Sequence, residues 1–288
     1  MSAGGSSERR GGALRWIARH RVFAIGLVVT LALVACAVLA PELAPYPPQR
    51  ARYAERFLAP SLRHLMGTDE HGRDFLSRVL YGGRVSLSVS AVAVAISGAI
   101  GIPLGLMIGY FGGVLDTVSG RIVDALFALP SILWAIAIVA VIGPSAEAAT
   151  LALAIARVPI TIRIARAATL AAKESEYVAA SRILGSSWLF IVFRAILPNC
   201  TGALTVLLSL GLAVTILSEA GLSYLGLSVQ PPTPSWGNLI QEGQGYLRDS
   251  IWVSLFPGMT LFVAVLSLNL VGDGLRDLLD ARGRTRTG

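Results

Sequence analysis

Residues 176 to 198 read EYVAASRILGSSWLFIVFRAILP. Long apolar runs flank this moderately polar stretch on both sides. Its small residues come first (Ala179, Ala180, Ser181), followed by Arg182 and Gly185. Ala179, Ala180, Ile183 and Leu184 recur at helical spacing and make one small-to-medium apolar face. Gly185 suits a helix end, where a left-handed backbone is needed. Ser186 or Ser187 can cap a second helix. In that helix Trp188, Ile191, Val192 and Ala195 make a second apolar face, and Leu197-Pro198 is expected to stop it. A helix with a flat face of small residues can seat in a groove on another protein. The same pattern also fits an interfacial helix lying on lipid.

The rest of the chain decides the setting. It is 54% apolar and only 14% charged, whereas soluble domains carry about 25% charged residues. Uninterrupted apolar runs point to an integral membrane protein. The net charge of +7 does not indicate nucleic acid, because the basic residues lie between apolar runs rather than in one stripe with aromatics. Cys36 and Cys200 fall at different depths, so they read as small packing residues and not as a disulfide. His20, His64 and His71 are scattered and polar-flanked, without metal-ligand spacing. No cofactor or metal is expected.

Six apolar runs organise the sequence: Val22 to Ala40, Val85 to Phe111, Val118 to Gly143, Ala146 to about Ala167, Cys200 to Leu222, and Ile251 to Val271. The first has 19 residues without a charge, close to the ~20 that cross a bilayer core. It is longer than a signal-peptide core and lacks a good cleavage site after it. The fold class is therefore an all-α membrane protein with six transmembrane helices. The expected boundaries are a tail at 1–21, a first span at 22–41, an extramembrane segment at 42–84, a five-span core at 85–272, and a tail at 273–288. Glycines at 98, 101, 105 and 109 in the second run favour close helix packing in lipid.

Six spans place both termini on one side. That side holds 16 basic residues: five in the first tail, six from Arg157 to Arg194, four at the C-terminus, and Arg121. The other side holds eight. Cytoplasmic loops carry the excess of Lys and Arg, so the termini and the 176–198 stretch are expected in the cytoplasm. Arg121 and Asp124, three apart on one helix, are expected to pair.

Stretch 176–198 resembles the cytoplasmic coupling loop of bacterial ABC importer permeases. That pattern is Glu-Ala-Ala, three residues, Gly, about nine residues, then a hydrophobic residue, any residue, Leu-Pro. Ala179-Ala180-Ser181 stands in the first triplet, Gly185 follows at the right spacing, and Leu197-Pro198 closes it. The motif's Glu is Ala179 here and its second Ala is Ser181. The Glu contact to an ATPase is therefore either absent or passed to Glu176. GTDEHGRDFLSRVLYGGRVSL at 67–87, GYFGGVLD at 109–116, SEAGLSYLGLSVQPPTPSWGNLI at 218–240 and NLVGDGLRDLLD at 269–280 extend the likeness. Together they resemble the second permease type of dipeptide, oligopeptide and nickel import systems, with one N-terminal span before a five-span core.

The resemblance implies a multi-pass subunit of the bacterial cytoplasmic membrane. Its implied partners are a homologous permease, two cytoplasmic ABC ATPases, an extracytoplasmic substrate-binding protein and membrane lipid. The sequence contains no GxxxxGK(S/T) phosphate loop, so it is not read as an enzyme, and ATP hydrolysis is assigned to the partners. The implied cargo is short peptides. Nickel, glutathione or a glycan are alternatives, and an ion-coupled carrier without an ATPase is a further one. Glu176, Ala179, Ala180, Ser181, Arg182, Gly185, Leu197 and Pro198 are the coupling candidates. Arg157, Glu219 and Trp236 are candidates for the pathway wall. For Arg157 the reading stays open between a cation meeting a peptide carboxylate, a buried partner of Asp124 or Glu219, and a side chain reaching the membrane edge. The loop at 223–250 either dips between the spans or docks the binding protein.

Overall fold

The computed structural model describes residues 21–284, with side chains to residue 279. The expected N-terminal tail, apart from Arg21, and the last four residues lie outside the described residues. The elements are α1 (Arg21–Val38), α2 (Phe75–Phe111), α3 (Gly113–Phe127), α4 (Ser131–Ile142), α5 (Ala146–Lys173), α6 (Glu176–Ile183), α7 (Trp188–Tyr224), α8 (Trp236–Gln244) and α9 (Trp252–Arg284). Five of these helices are long and apolar enough to cross a membrane, or six spans if the bent pair α3–α4 counts as one. Among the described residues there is no β-strand, only an isolated bridge between Thr68 and Asp74. The protein is an all-α membrane protein.

Three boundaries differ from the sequence reading, each for a physical reason. The second span helix begins at Phe75, so residues 75–84 are helical and continuous with the span. Asp74 caps it by accepting the Ser77 N–H at 2.9 Å, which satisfies a donor that the first turn leaves free. At about 1.5 Å per residue, 37 residues span about 55 Å. That exceeds a ~30 Å hydrocarbon core, so the polar first turns extend beyond it.

The third run is not one helix. It divides into α3 and α4, bent by 81°. Pro130 has no N–H to continue α3, and it disfavours helical backbone at Leu129. The fifth span does not start after Pro198. Helix α7 runs through Pro198, because residues Ile191–Ile196 form a wider π-helical turn in which the Leu197 N–H reaches the Val192 carbonyl. The widened turn makes room for the proline ring, which would otherwise clash with the carbonyl four residues back.

The centre of the bundle is the α2–α5 seam. Gly101 faces Thr161, Gly105 faces Ala165, and Gly109 faces Thr169. Both sets advance by four in the same direction, so α2 and α5 are parallel, and α3–α4 returns the chain between them. A Cβ on Gly105 would lie 2.6 Å from both the Ala165 Cβ and the Ile162 carbonyl oxygen. Only glycine allows this approach, the usual device where lipid supplies no hydrophobic drive. Helix α1 runs antiparallel to α9, with the Thr30 hydroxyl on Ser267 at 3.1 Å. Cys36 and Cys200 are free thiols on α1 and α7.

Candidate functional site

The α6 turn stands on the same side as the start of α1 and the end of α9. Val178 is fully buried, while Glu176, Ala179, Ala180 and Arg182 are exposed and Ser181 half-exposed. Ile183 and Leu184 are 86% and 82% exposed. The apolar face read from the sequence is therefore free of the bundle, and the neighbouring Val178 anchors it. Gly185 has φ +73° and completes a Schellman end: the Ser186 N–H donates to the Ser181 carbonyl at 3.1 Å. Ser187 caps the next helix by accepting the Phe190 N–H at 3.3 Å.

The loop is rooted at several points. Val178, Ile191, Val192 and Ile196 share a buried cluster with Leu106 of α2, Ala165 of α5 and Leu204 of α7. The Arg182 guanidinium lies 5.4 Å from the Tyr110 ring centre, and Trp188 lies 5.4 Å from Phe111. Leu197 is half-buried and Pro198 exposed at the base of α7. A load applied to α6 therefore reaches three span helices through packed side chains. Beside this root, Arg166 Nη2 donates to Asp116 Oδ2 at 2.7 Å. Asp124 pairs with Arg163 on α5 and not with Arg121, which is exposed. The expected Arg121–Asp124 pair is overturned because α5 brings a closer guanidinium to Asp124.

A cavity of about 750 Å³ opens between α5, α7 and α9 near the α3–α4 bend. Of the three candidates for a pathway wall, it brings in only Arg157. Glu219 is fully buried and its Oε1 accepts from the Ser228 hydroxyl at 3.1 Å. Trp236 is 2% exposed; its Nε1 donates to the Val79 carbonyl at 3.1 Å, and its backbone N–H to the Ser86 hydroxyl at 3.2 Å. These contacts seat α8, which spans part of the 223–250 loop, on the first turns of α2.

The far end carries a cluster that the sequence reading missed. Arg78 is fully buried and reaches Asp69 at 2.7 Å and Glu242 at 2.8 Å. Arg73 joins Asp69 at 2.6 Å and Glu70 at 2.9 Å. The alternating charges of TDEHGRD directly before an apolar helix were the available signal. Asp69, Glu70 and His71 place potential metal-ligand atoms within 4.8 Å of one another. The Asp69 carboxylate already accepts from both arginines and from the N–H groups of His71 and Arg73, so its acceptor capacity is used.

The chain is a bundle of long apolar helices, with a rooted helical turn offering an exposed apolar face at one end. The chain belongs to the family described as binding-protein-dependent transport system inner membrane component, whose model matches residues 101–285. Residues 11–60 match the N-terminal TM domain of oligopeptide transport permease C. A putative peptide transport system permease of Brucella abortus is 44% identical over 268 residues, covering 93% of this chain and 90% of that protein. The dipeptide transport system permease DppC of Haemophilus influenzae is 38% identical over 270 residues, covering 92% of each. A glutathione transport system permease of Pectobacterium atrosepticum is 39% identical over 269 residues, covering 93% of this chain and 89% of that protein. The fold is similar to a chain of the MetNI methionine ABC transporter, with TM-score 0.58 and 19% identity over 70% of this chain and 96% of that one. The protein is an ABC importer permease, a class that is not itself catalytic.

Proposed function

We propose that this chain is the second permease subunit of an importer for short peptides in a bacterial cytoplasmic membrane. It forms half of the pathway with a homologous permease. Two cytoplasmic ATPases work on it from one side, and a peptide-loaded binding protein delivers from the other. Both termini face the cytoplasm. The peptide names of the relatives support the cargo class, and the charge asymmetry supports the orientation.

The observation that carries the mechanism is α6. Its exposed face, with Ile183 and Leu184 largely in solvent, is rooted by Val178 in the junction of α2, α5 and α7. That is the shape of a lever seated in a groove on another protein. Closure of the ATPase dimer on ATP would move α6 as a body, and the packed junction would pass the motion to the spans. The bundle then switches between inward- and outward-open states, with nucleotide biasing the equilibrium.

The test is reconstitution of the four subunit types in proteoliposomes. Replacing Ile183 and Leu184 together by Asp is expected to abolish co-purification of the ATPases and ATP-driven peptide uptake, while leaving the permease pair folded in detergent. Uptake that survives deletion of residues 176–190 would end the coupling reading. Uptake driven by an ion gradient without the ATPases would favour a carrier instead.

A further inference from the structure

Among the described residues Arg157 has no counter-ion. It sits at the twelfth position of α5, about 17 Å along the axis from Ala146, so it lies deep within a ~30 Å hydrocarbon core. A charge at that depth is costly and needs a compensating group or a cavity. Two carboxylates were candidates for a partner. Asp124 is held by Arg163. Glu219 is fully buried beside Ser228, two turns along α7 from the residue that Arg157 touches. Among the described residues no carboxylate forms an ion pair with Arg157, and its Nε is buried with no hydrogen-bond partner.

The side chain is nevertheless placed with care. Its guanidinium lies directly on Gly211 of α7, where any Cβ would overlap Nη2. Gly211 thus forms the seat, and both residues line the 750 Å³ cavity. The wall is mostly apolar, with Ile160, Leu207, Leu210 and Val214, and Arg276 of α9 adds a second guanidinium to the same cavity. The volume falls within the range of small-molecule sites. A guanidinium in an apolar wall favours a planar carboxylate, which it can bind through two parallel hydrogen bonds.

We propose that Arg157, seated on Gly211, receives the terminal carboxylate of the peptide during translocation. This rests on the peptide-import reading. The chemistry suits a pathway that must accept many sequences, because every unmodified peptide carries that carboxylate whatever its side chains are. It also gives the cargo a direction, since the α-ammonium end is repelled.

Two measurements test it on the assembled complex. In proteoliposomes with the full importer, the wild type should take up di- and trialanine. No uptake by the wild type would refute the peptide reading itself, and this inference with it. In nanodiscs holding both permeases and the ATPases without binding protein, equilibrium binding of trialanine is compared with that of trialanine amide. The wild type should prefer the free acid by about 10- to 100-fold, the range for a hydrogen-bonded charged group. Arg157→Met should erase that preference, and Arg157→Lys should keep part of it. Co-purification of both ATPases and the second permease with each variant should match wild type, showing that the complex still assembles. Equal binding of acid and amide by the wild type would overturn the proposal, and so would a preference that survives Arg157→Met.

Discussion

Ala179 stands where the coupling pattern that this stretch resembles carries Glu, and Glu176 lies three residues before it on α6. Residues three apart share a helix face, and both are exposed. Glu176 can therefore offer its carboxylate to the same partner from one turn away. Glu176→Ala is expected to lower ATP-driven uptake several-fold, and Ala179→Glu in that background should restore it. Uptake in proteoliposomes at matched ATPase content checks this, and an unaffected Glu176→Ala variant would remove Glu176 from the contact. At the far end, Arg78 offers a stability test. Replacing this fully buried guanidinium by Met removes the closer of the two cations on Glu242 and leaves Arg73 alone between Asp69 and Glu242. Loss of one partner from a buried ionic cluster costs about 3–5 kcal/mol, so thermal unfolding in detergent should shift down clearly. Part of the residue scale was legible in advance. Gly185 and Ser187 were readable because helix ends have local chemical requirements. The cation partners of Asp124 and Asp69 were not, because they arrive from elements 39 and nine residues away and spacing along one helix does not reveal them.

At the scale of elements, the apolar runs identified the spans but not their breaks. The bend between α3 and α4 and the π-helical turn before Pro198 both depend on how a proline is accommodated, and tertiary packing decides that. Pro130 breaks its helix where little packs against the bend, whereas Pro198 is carried through a turn whose Ile191, Val192 and Ile196 are buried. The glycine run of α2 was legible as a packing face, though its partner was not. The seam gives a graded prediction. At Gly105, Ala introduces a Cβ where the Ala165 Cβ and the Ile162 carbonyl already stand at 2.6 Å. Overpacking of this kind costs about 1–3 kcal/mol, and Leu should prevent a folded pair altogether. Gly120 faces open space, so Gly120→Ala should be tolerated. Expression level and thermal stability of the three variants would separate seam packing from a general sensitivity to glycine replacement. Loss of stability in all three would refute the seam argument.

For the whole molecule, counting the α3–α4 pair as one crossing, α1, α2, α3–α4, α5, α7 and α9 bring the start of α1 and the end of α9 to one side. Which side is cytoplasmic rests on charge alone, and the seven arginines between Arg50 and Arg84 weigh against the assignment. The count of 16 basic residues against eight still favours the assignment. Single cysteines can decide the question once Cys36 and Cys200 are replaced. Leu62 is fully exposed in the segment before α2, and Ile183 is 86% exposed on α6. In intact cells a membrane-impermeant maleimide should label Leu62→Cys at once, and Ile183→Cys only after permeabilisation. The reverse pattern would place α6 outside, beyond the reach of any cytoplasmic ATPase, and the proposed drive would fail with it. If both are labelled from outside, an even number of crossings separates the two positions, and the parallel α2–α5 seam would be refuted with the topology.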